Sequence, residues 1–287
     1  MRLLTVATDQ GPRACAEIDG RLVDLNAADP SLPGSVRELI AQGPEGIARA
    51  REAAPEGSVR YDLESSRLLA PVPDPRKIIC LGLNYRDHAI ETGAKIPEEP
   101  ILFSKYPTAL IGHGAPILLP KVCHEVDYEA ELVIVVGRPG RDIPADRAMA
   151  HVAGFAVGHD VSARDWQLRK PGGQWMAGKT FDTFAPVGPY LVTADEVPDP
   201  HALGIRLRLN GRLMQNSNTA QLIFRVPETI AYLSQIMTLE PGDLIFTGTP
   251  PGVGMARKPP VWLKPGDVVE VEIDGLGTLR NPIEARP

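Results

Sequence analysis

Acidic and apolar side chains alternate through residues 127–136, a segment that begins with three acids and ends in a run of valines and isoleucine. Successive strand residues point to opposite faces, so Glu129 and Glu131 share one face. Val133 and Val135 continue that face, and the opposite face is apolar too. Two carboxylates buried there are costly unless a cation neutralises them. The pattern favours a divalent metal site, and the alternative is a solvated strand face.

A second acidic pair with the same spacing, Glu270 and Glu272, offers an internal contrast. There the apolar residues Val269, Val271 and Ile273 line the opposite face. These acids can therefore point to water, and we expect no metal at this pair.

Asp160 ends the predicted strand 154–160 and is a candidate third ligand, although a plain turn residue would also fit this place. Ser162 and Asp165 resemble a capping box that opens a short helix after it. Three carboxylates without His or Cys favour a hard ion, Mg²⁺ or Mn²⁺, over zinc.

His88 and Glu91 lie in a short segment ended by Thr92 and Gly93. On one helical turn they would be neighbours. A carboxylate beside an imidazole raises its basicity and fixes its tautomer, which would make His88 a general base. A surface His–Glu pair is the alternative.

Residues 173–180 match the phosphate-loop pattern GxxxxGK[ST], but their context argues against it. Such a loop leaves a buried strand and opens a helix. Here Pro171 and two glycines precede the match, and a β-like segment broken by Pro186 follows. We therefore expect no nucleotide site.

The chain divides at a Pro-rich connector, residues 70–75, which predicts a stiff extended link. We expect a small N-terminal α+β domain over 1–70 and a catalytic domain over 71–287. The second segment is mostly short strands with one amphipathic helix beginning near Pro227. The expected strands and helices of the first segment are 3–7, 14–18, 21–25, 36–41 and 47–54.

Charge and composition exclude several classes of protein. The net charge of −6, without a basic run, argues against a nucleic-acid partner. No segment approaches the about 18 apolar residues of a membrane helix. Three cysteines without CxxC spacing, and a start unlike a signal peptide, predict a reduced cytoplasmic protein.

Five ordered segments between residues 77 and 283 resemble the fumarylacetoacetate hydrolase family. They are Gly82-Leu-Asn84-Tyr85-Arg-Asp-His88, Asp127-Tyr-Glu129-Ala-Glu131-Leu, Gly158-His-Asp160-Val-Ser-Ala-Arg164-Asp165, Gly178-Lys179-Thr-Phe-Asp182 and Thr247-Gly-Thr249-Pro-Pro-Gly-Val-Gly254. The resemblance implies a β-rich α+β fold, with a mixed β-sheet core and short helices, that usually forms a homodimer.

The resemblance also implies roles for individual residues. It assigns the metal, Mg²⁺ or Mn²⁺, to Glu129, Glu131 and Asp160. It assigns catalysis to His88, Glu91 and Lys179, and substrate contacts to Tyr85, Arg164, Gln167 and Thr249.

The implied reaction is hydrolysis of a C–C bond in a small acylpyruvate or diketo acid through a metal-bound enolate. His88 would activate water for the attack, and Lys179 would stabilise the enolate. Oxaloacetate decarboxylation and isomerisation or hydration of 2-hydroxydienoates would use the same site and remain alternatives. A non-catalytic binding protein is a further alternative.

Overall fold

Short strands and shorter helices make up the protein, and the computed structural model describes all of residues 1–287. The predicted strand-rich α+β class is confirmed. The strands are β1 (Arg2–Thr8), β2 (Gly11–Ile18), β3 (Arg21–Asp24), β4 (Arg60–Asp62), β5 (Leu68–Leu69), β6 (Ile78–Gly82), β7 (Ile101–Lys105), β8 (Leu110–Ile111), β9 (Ile117–Leu119), β10 (Val126–Asp127), β11 (Ala130–Val136), β12 (Val152–His159), β13 (Ser162–Ala163), β14 (Ala185–Thr193), β15 (Gly204–Leu209), β16 (Arg212–Asn218), β17 (Leu244–Phe246), β18 (Val268–Ile273) and β19 (Gly277–Ala285).

Seven α-helices lie between these strands, and none is longer than 11 residues. No helix has the length and apolar content needed to cross a membrane. The helices are α1 (Leu25–Ala28), α2 (Val36–Ala41), α3 (Gly43–Ala53), α4 (Arg86–Thr92), α5 (Arg164–Arg169), α6 (Trp175–Lys179) and α7 (Val226–Ile236). Short 3₁₀ helices span Ala54–Glu56, Pro107–Ala109, Ala145–His151, Ala194–Glu196, Thr219–Gln221 and Gly254–Ala256.

One mixed sheet runs through most of the molecule in the order β4-β3-β2-β1-β14-β12-β11-β17-β6-β7. A second sheet has the order β16-β15-β18-β19-β9, and β10 pairs with β13. β1 joins β14 through antiparallel pairs such as Leu3 with Leu191. The strands of residues 1–70 therefore extend the main sheet. The two segments share this sheet, and the domain boundary between residues 70 and 71 stays a prediction.

The apolar core lies on both faces of the main sheet, as the pattern of β11 predicts. Leu132 and Ile134 pack in one buried cluster, which extends to the second sheet. Val133 and Val135 pack in another, which holds the N-terminal helices. Every residue of β11 is buried, so a charged side chain at its start needs partners inside the protein.

Most local predictions agree with these elements, and one is wrong. The Ser35 hydroxyl caps α2 by accepting from the Glu38 amide at 3.5 Å, and α7 begins with Pro227 in its first turn. The capping box predicted at Ser162 is absent: Ser162 donates instead to the Asp160 carbonyl, and α5 begins at Arg164 without a side-chain cap. The turn after β12 thus uses the hydroxyl that the box would have required.

The ends of β12, β17 and β6 lie near the start of β11 and position the candidate site. The antiparallel register pairs Ala130 at the start of β11 with His159 at the end of β12. β17 is antiparallel to β11 and parallel to β6, so both β17 and β6 end next to the start of β11. The loops that leave these strands therefore meet at one edge of the sheet.

Candidate active site

Three carboxylates meet where β11 begins and β12 ends. Glu129 directly precedes β11, Glu131 is its second residue, and Asp160 directly follows β12. One oxygen from each lies within 4.8 Å of the others, and all three residues are at most 5% exposed. The sequence predicted this cluster. By contrast, the Glu270 and Glu272 side chains are partly exposed, at 34% and 44%, as expected.

Lys179 joins two members of this carboxylate cluster. Its Nζ lies 2.6 Å from Glu129 Oε2 and 2.8 Å from Asp160 Oδ2. The lysine ends the five-residue helix α6, which packs on α5 where Gly178 meets the Gln167 backbone. A Cβ on Gly178 would lie 2.5 Å from the Gln167 amide nitrogen, so only glycine permits this approach. The segment that mimics a phosphate loop therefore directs its lysine toward the carboxylates.

A second lysine, Lys105, was not predicted as a site residue. It ends β7, is 2% exposed, and its Nζ lies 2.6 Å from Asp160 Oδ1. The same ammonium donates to the carbonyls of Val161, Lys179 and Phe184. Lys105 thus fixes Asp160 and the end of α6 together. A lone lysine at the end of an exposed strand carries no signal of this in the sequence.

Arg164 links the cluster to its surroundings. Its guanidinium donates to Asp127 Oδ2 at 2.9 Å, to Glu129 Oε1 at 2.5 Å and to Gln167 Oε1 at 2.8 Å. Asp127 also accepts from the backbone amides of Gly254 and Met255. Asp127 stands in the motif of the two glutamates, but it was not singled out. Its contacts hold the loop after β17 against β10.

The surroundings shift the pKa values of the two glutamates in opposite directions. Burial opposes ionisation of Glu129, yet the nearby charges of Lys179 and Arg164 outweigh it and lower its pKa to about 2. Burial raises the pKa of Glu131 well above its usual value, and repulsion from Asp160 and Glu129 adds to this. Glu131 forms no ion pair within 4 Å; its one hydrogen bond comes from the Gly248 amide at 2.7 Å.

The residues present fit a hard divalent cation. The ligand atoms are carboxylate oxygens without a nearby His or Cys ligand, the set that Mg²⁺ and Mn²⁺ prefer. Lys105, Lys179 and Arg164 neutralise Asp160, Glu129 and Asp127, and the buried Glu131 carboxyl group is left without a positively charged partner. A bound cation would supply that charge.

The loop after β17 is fastened along β11. Thr247 bonds the Leu132 carbonyl through its amide at 3.0 Å and through its hydroxyl at 2.9 Å. Gly248 then donates to Glu131, in a backbone with φ +94° that favours glycine. Thr249 follows Gly248 directly and is 5% exposed. Its hydroxyl accepts from Gln215 at 2.9 Å, a residue that the sequence did not single out.

His88 and Glu91 form the predicted one-turn pair on α4. His88 Nδ1 lies 2.9 Å from Glu91 Oε2, and Glu91 Oε1 accepts from the Gly252 amide at 2.8 Å. Gly93 ends the helix with φ +66°. The pair therefore contacts the same loop that carries Thr249, and neither residue bonds the carboxylate cluster directly.

Tyr85 lies immediately before α4 and is fully buried. Its backbone pairs with Leu222, and its hydroxyl has no hydrogen-bond partner in the protein. Burial raises the pKa of Tyr85 well above its usual value, and the charge of Glu131 adds to this. Of the predicted substrate residues, Arg164 and Gln167 bond each other, Thr249 bonds Gln215, and the Tyr85 hydroxyl bonds none of them.

Comparison with known proteins gives concordant results. Residues 77–284 match the family model "Fumarylacetoacetate (FAA) hydrolase C-terminal". The chain is 50% identical over 287 residues to "Oxaloacetate tautomerase fahd2, mitochondrial" of Xenopus laevis, covering 99% of this chain and 90% of that protein. It is 49% identical over 264 residues to "Oxaloacetate tautomerase FAHD2A, mitochondrial" of Homo sapiens, covering 92% and 84%.

Among solved structures, a fumarylacetoacetate hydrolase from Exiguobacterium antarcticum is similar over the whole of both chains. Its TM-score is 0.87 and its sequence identity is 37%.

The predicted cytoplasmic location is wrong by this comparison, because both relatives are named as mitochondrial proteins. The prediction rested on the unpaired cysteines and on a start unlike a signal peptide, and free cysteines do not distinguish one reducing compartment from another.

The family match covers most of the chain, and the relatives and the solved structure agree with it over nearly its full length. The protein is therefore an enzyme of the fumarylacetoacetate hydrolase family.

Proposed function

We propose that this enzyme interconverts the enol and keto tautomers of oxaloacetate or a similar small 2-keto dicarboxylic acid. Both relatives described above carry oxaloacetate tautomerase names, at about half identity over nearly the whole chain. This replaces C–C hydrolysis, favoured from the sequence, as the first candidate reaction. Tautomerisation moves one proton between oxygen and carbon, so the site must bind the acid, stabilise an enolate and transfer that proton.

The observation that carries the proposal is the ion pairing of the Lys179 ammonium group with the carboxylate cluster. Lys179 is 2% exposed and bonds both Glu129 and Asp160. Burial opposes its charge, but Asp160 and Glu129 raise its pKa, so the ammonium stays protonated. A fixed positive charge in a site of low dielectric stabilises negative charge that develops on a substrate oxygen.

In this proposal Glu129, Glu131 and Asp160 hold Mg²⁺ or Mn²⁺. A divalent cation bound there would act as a Lewis acid and orient the 2-keto acid group. Lys105 and Arg164 keep two of these carboxylates in place. Lys105 bonds Asp160 Oδ1 and Arg164 bonds Glu129 Oε1, in each case the oxygen that Lys179 does not bond. Thr249, Gln167 and Tyr85 are proposed to contact the substrate.

We assign proton transfer to His88, supported by Glu91. Glu91 bonds His88 Nδ1, which leaves Nε2 as the atom that would accept or return the proton. Since Glu91 also bonds Gly252, α4 would carry this atom over the loop that borders the metal ligands. Position on a short helix also suits a segment that closes over bound substrate.

A second candidate reaction is hydrolysis of an acylpyruvate, which the same His–Glu pair would support by activating water. The structure from Exiguobacterium antarcticum bears a hydrolase name. Decarboxylation of oxaloacetate is the third, and it requires an electron sink but no general base. All three reactions would use the same proposed site.

The test compares these reactions on one preparation at saturating Mg²⁺. Decay of enol-oxaloacetate is followed by its ultraviolet absorbance, together with CO₂ release and acylpyruvate cleavage. We expect faster enol decay with the wild type, loss with EDTA or Glu129→Ala, and full retention in Glu270→Ala, the matched acid of the exposed pair. Acylpyruvate cleavage without enol decay would favour the hydrolase reading. Absence of all three activities would refute the proposal.

We further propose a homodimer, as the resemblance implies, and light scattering of the purified protein tests it.

A further inference from the structure

Gln215 connects the second sheet to the candidate site, although its side chain hydrogen-bonds none of the carboxylates. It lies in β16 and is 1% exposed. Its Oε1 accepts from the Ala130 amide at 2.8 Å, and its Nε2 donates to Thr249 Oγ1 at 2.9 Å and to the Pro250 carbonyl at 2.8 Å. Ala130 is the residue between the two glutamates.

The orientation of this side-chain amide is fixed by its partners. A backbone amide only donates, so the atom facing Ala130 must be the oxygen of Gln215. A carbonyl only accepts, so the atom facing Pro250 must be the nitrogen. Both constraints give the same orientation, and a flipped amide would break both bonds.

This orientation in turn determines the hydrogen-bonding role of Thr249. Because Gln215 donates to it, the hydroxyl oxygen is an acceptor in that bond, and its own proton is free. The hydroxyl donates to no acceptor in the protein. Thr249 is 5% exposed and directly follows Gly248, which bonds Glu131. Gln215 joins its hydroxyl to the Ala130 amide, between the two glutamates.

We infer that Gln215 is a positioning residue that makes the Thr249 hydroxyl a donor to an anionic group, a carboxylate, on the bound ligand. The inference rests on the proposed function, since it places the ligand's carboxylate next to the metal ligands. A hydroxyl held in this way favours ligands that present a free carboxylate there. Gln215 also ties the position of Thr249 to that of Ala130, which lies between Glu129 and Glu131.

The test uses Gln215→Glu, which keeps size and shape. One carboxylate oxygen still accepts from Ala130, but the other cannot donate, so it draws the Thr249 proton to itself. The probe is oxalate, a planar dianion with the 2-oxo acid geometry, titrated by calorimetry at saturating Mg²⁺. We expect oxalate affinity to fall about 10- to 100-fold, the size of a lost hydrogen bond to a charged group. Mg²⁺ affinity without oxalate should not fall.

A double-mutant cycle separates this effect from simple repulsion by the added charge. In a Thr249→Val background no proton remains to be redirected, so Gln215→Glu should change oxalate affinity by less than about 3-fold. An equal loss in both backgrounds would mean that repulsion is the cause and would overturn the inference. In turnover, the loss should appear in KM more than in kcat.

Thermal unfolding monitors the fold, because the new carboxylate faces the Pro250 carbonyl. If Gln215→Glu does not fold, Thr249→Val and Thr249→Ser decide the question, since serine keeps the donor. Unchanged oxalate affinity in Thr249→Val would overturn the inference. Failure of the wild type to bind oxalate with Mg²⁺ would instead refute the proposed function, and the inference with it.

Discussion

Glu131→Gln should stabilise the metal-free protein while it abolishes metal binding. Glu131 is 1% exposed, has no cationic partner and is repelled by Asp160 and Glu129. In the glutamine variant the amide oxygen can still accept from Gly248, and the amide nitrogen can donate to the neighbouring carboxylates. Burial raises the pKa of Glu131, so the folded protein disfavours its charged form, and replacing buried ionic groups by neutral groups of similar volume often stabilises by about 1–4 kcal/mol. At about 2 °C per kcal/mol, Tm should rise by about 2–8 °C.

Glu129→Gln is the matched control, because that carboxylate has two cationic partners, Lys179 and Arg164. Removing one member of a buried ion pair costs about 3–5 kcal/mol. We expect the lower end, about 3 kcal/mol, since Lys179 keeps Asp160 and Arg164 keeps Asp127. Tm should therefore fall by about 6 °C.

Calorimetric unfolding in EDTA and then in excess Mg²⁺ measures both effects. Mg²⁺ should raise the Tm of the wild type by mass action and leave both variants unchanged. If Glu131→Gln lowers Tm in EDTA as much as Glu129→Gln does, Glu131 is not the carboxyl group that lacks a cationic partner. If Glu131→Gln keeps the full Mg²⁺ response, Glu131 is not a ligand.

Three further predictions address Lys179, the His–Glu pair and the N-terminal segment. Lys179→Met should lower kcat about 10²-fold or more, because it removes the charge that faces the developing enolate; an unchanged kcat at saturating substrate would exclude that role. His88→Ala should lower tautomerisation and acylpyruvate hydrolysis by about 10²–10⁴-fold and spare decarboxylation, measured side by side; intact hydrolysis and tautomerisation would make the His–Glu pair a surface contact. Burial opposes ionisation of Asp24, but Arg13 and the Ala27 amide lower its pKa, so this contribution to stability is present at neutral pH and is lost as pH falls through that pKa. Arg13→Met should reduce stability at pH 7, flatten its decline in acid and leave kcat/KM unchanged; chemical denaturation at several pH values tests this.

Short-range features of the site were predictable because they depend on local geometry. The two-residue period of a strand places Glu129 and Glu131 on one face, and the three-residue spacing of His88 and Glu91 on one helical turn brings them to 2.9 Å. The same reasoning identified Glu270 and Glu272 as partly exposed. The capping box predicted at Ser162 was wrong, because the Ser162 hydroxyl donates to the Asp160 carbonyl in a turn instead of capping α5.

Long-range partners were not predictable from local pattern. Lys105 and Asp160 are 55 positions apart, and Gln215 and Ala130 are 85 apart. Neither Lys105 nor Gln215 differs in its sequence setting from an exposed strand residue. The main sheet also joins β1 to β14, across almost the whole chain, which the Pro-rich connector did not indicate.

The amino-acid sequence alone thus predicted the strand-rich class, the three carboxylates and the His–Glu pair from residue type and spacing, and it predicted the family and Lys179 through resemblance. Only the tertiary structure decided how charge is shared among them. The packing of α5, α6 and β7 against the start of β11 brings Arg164, Lys179 and Lys105 to Asp127, Glu129 and Asp160 and leaves Glu131 without a counter-ion. Electrostatic energies depend on distance and burial in space, and separation along the chain specifies neither.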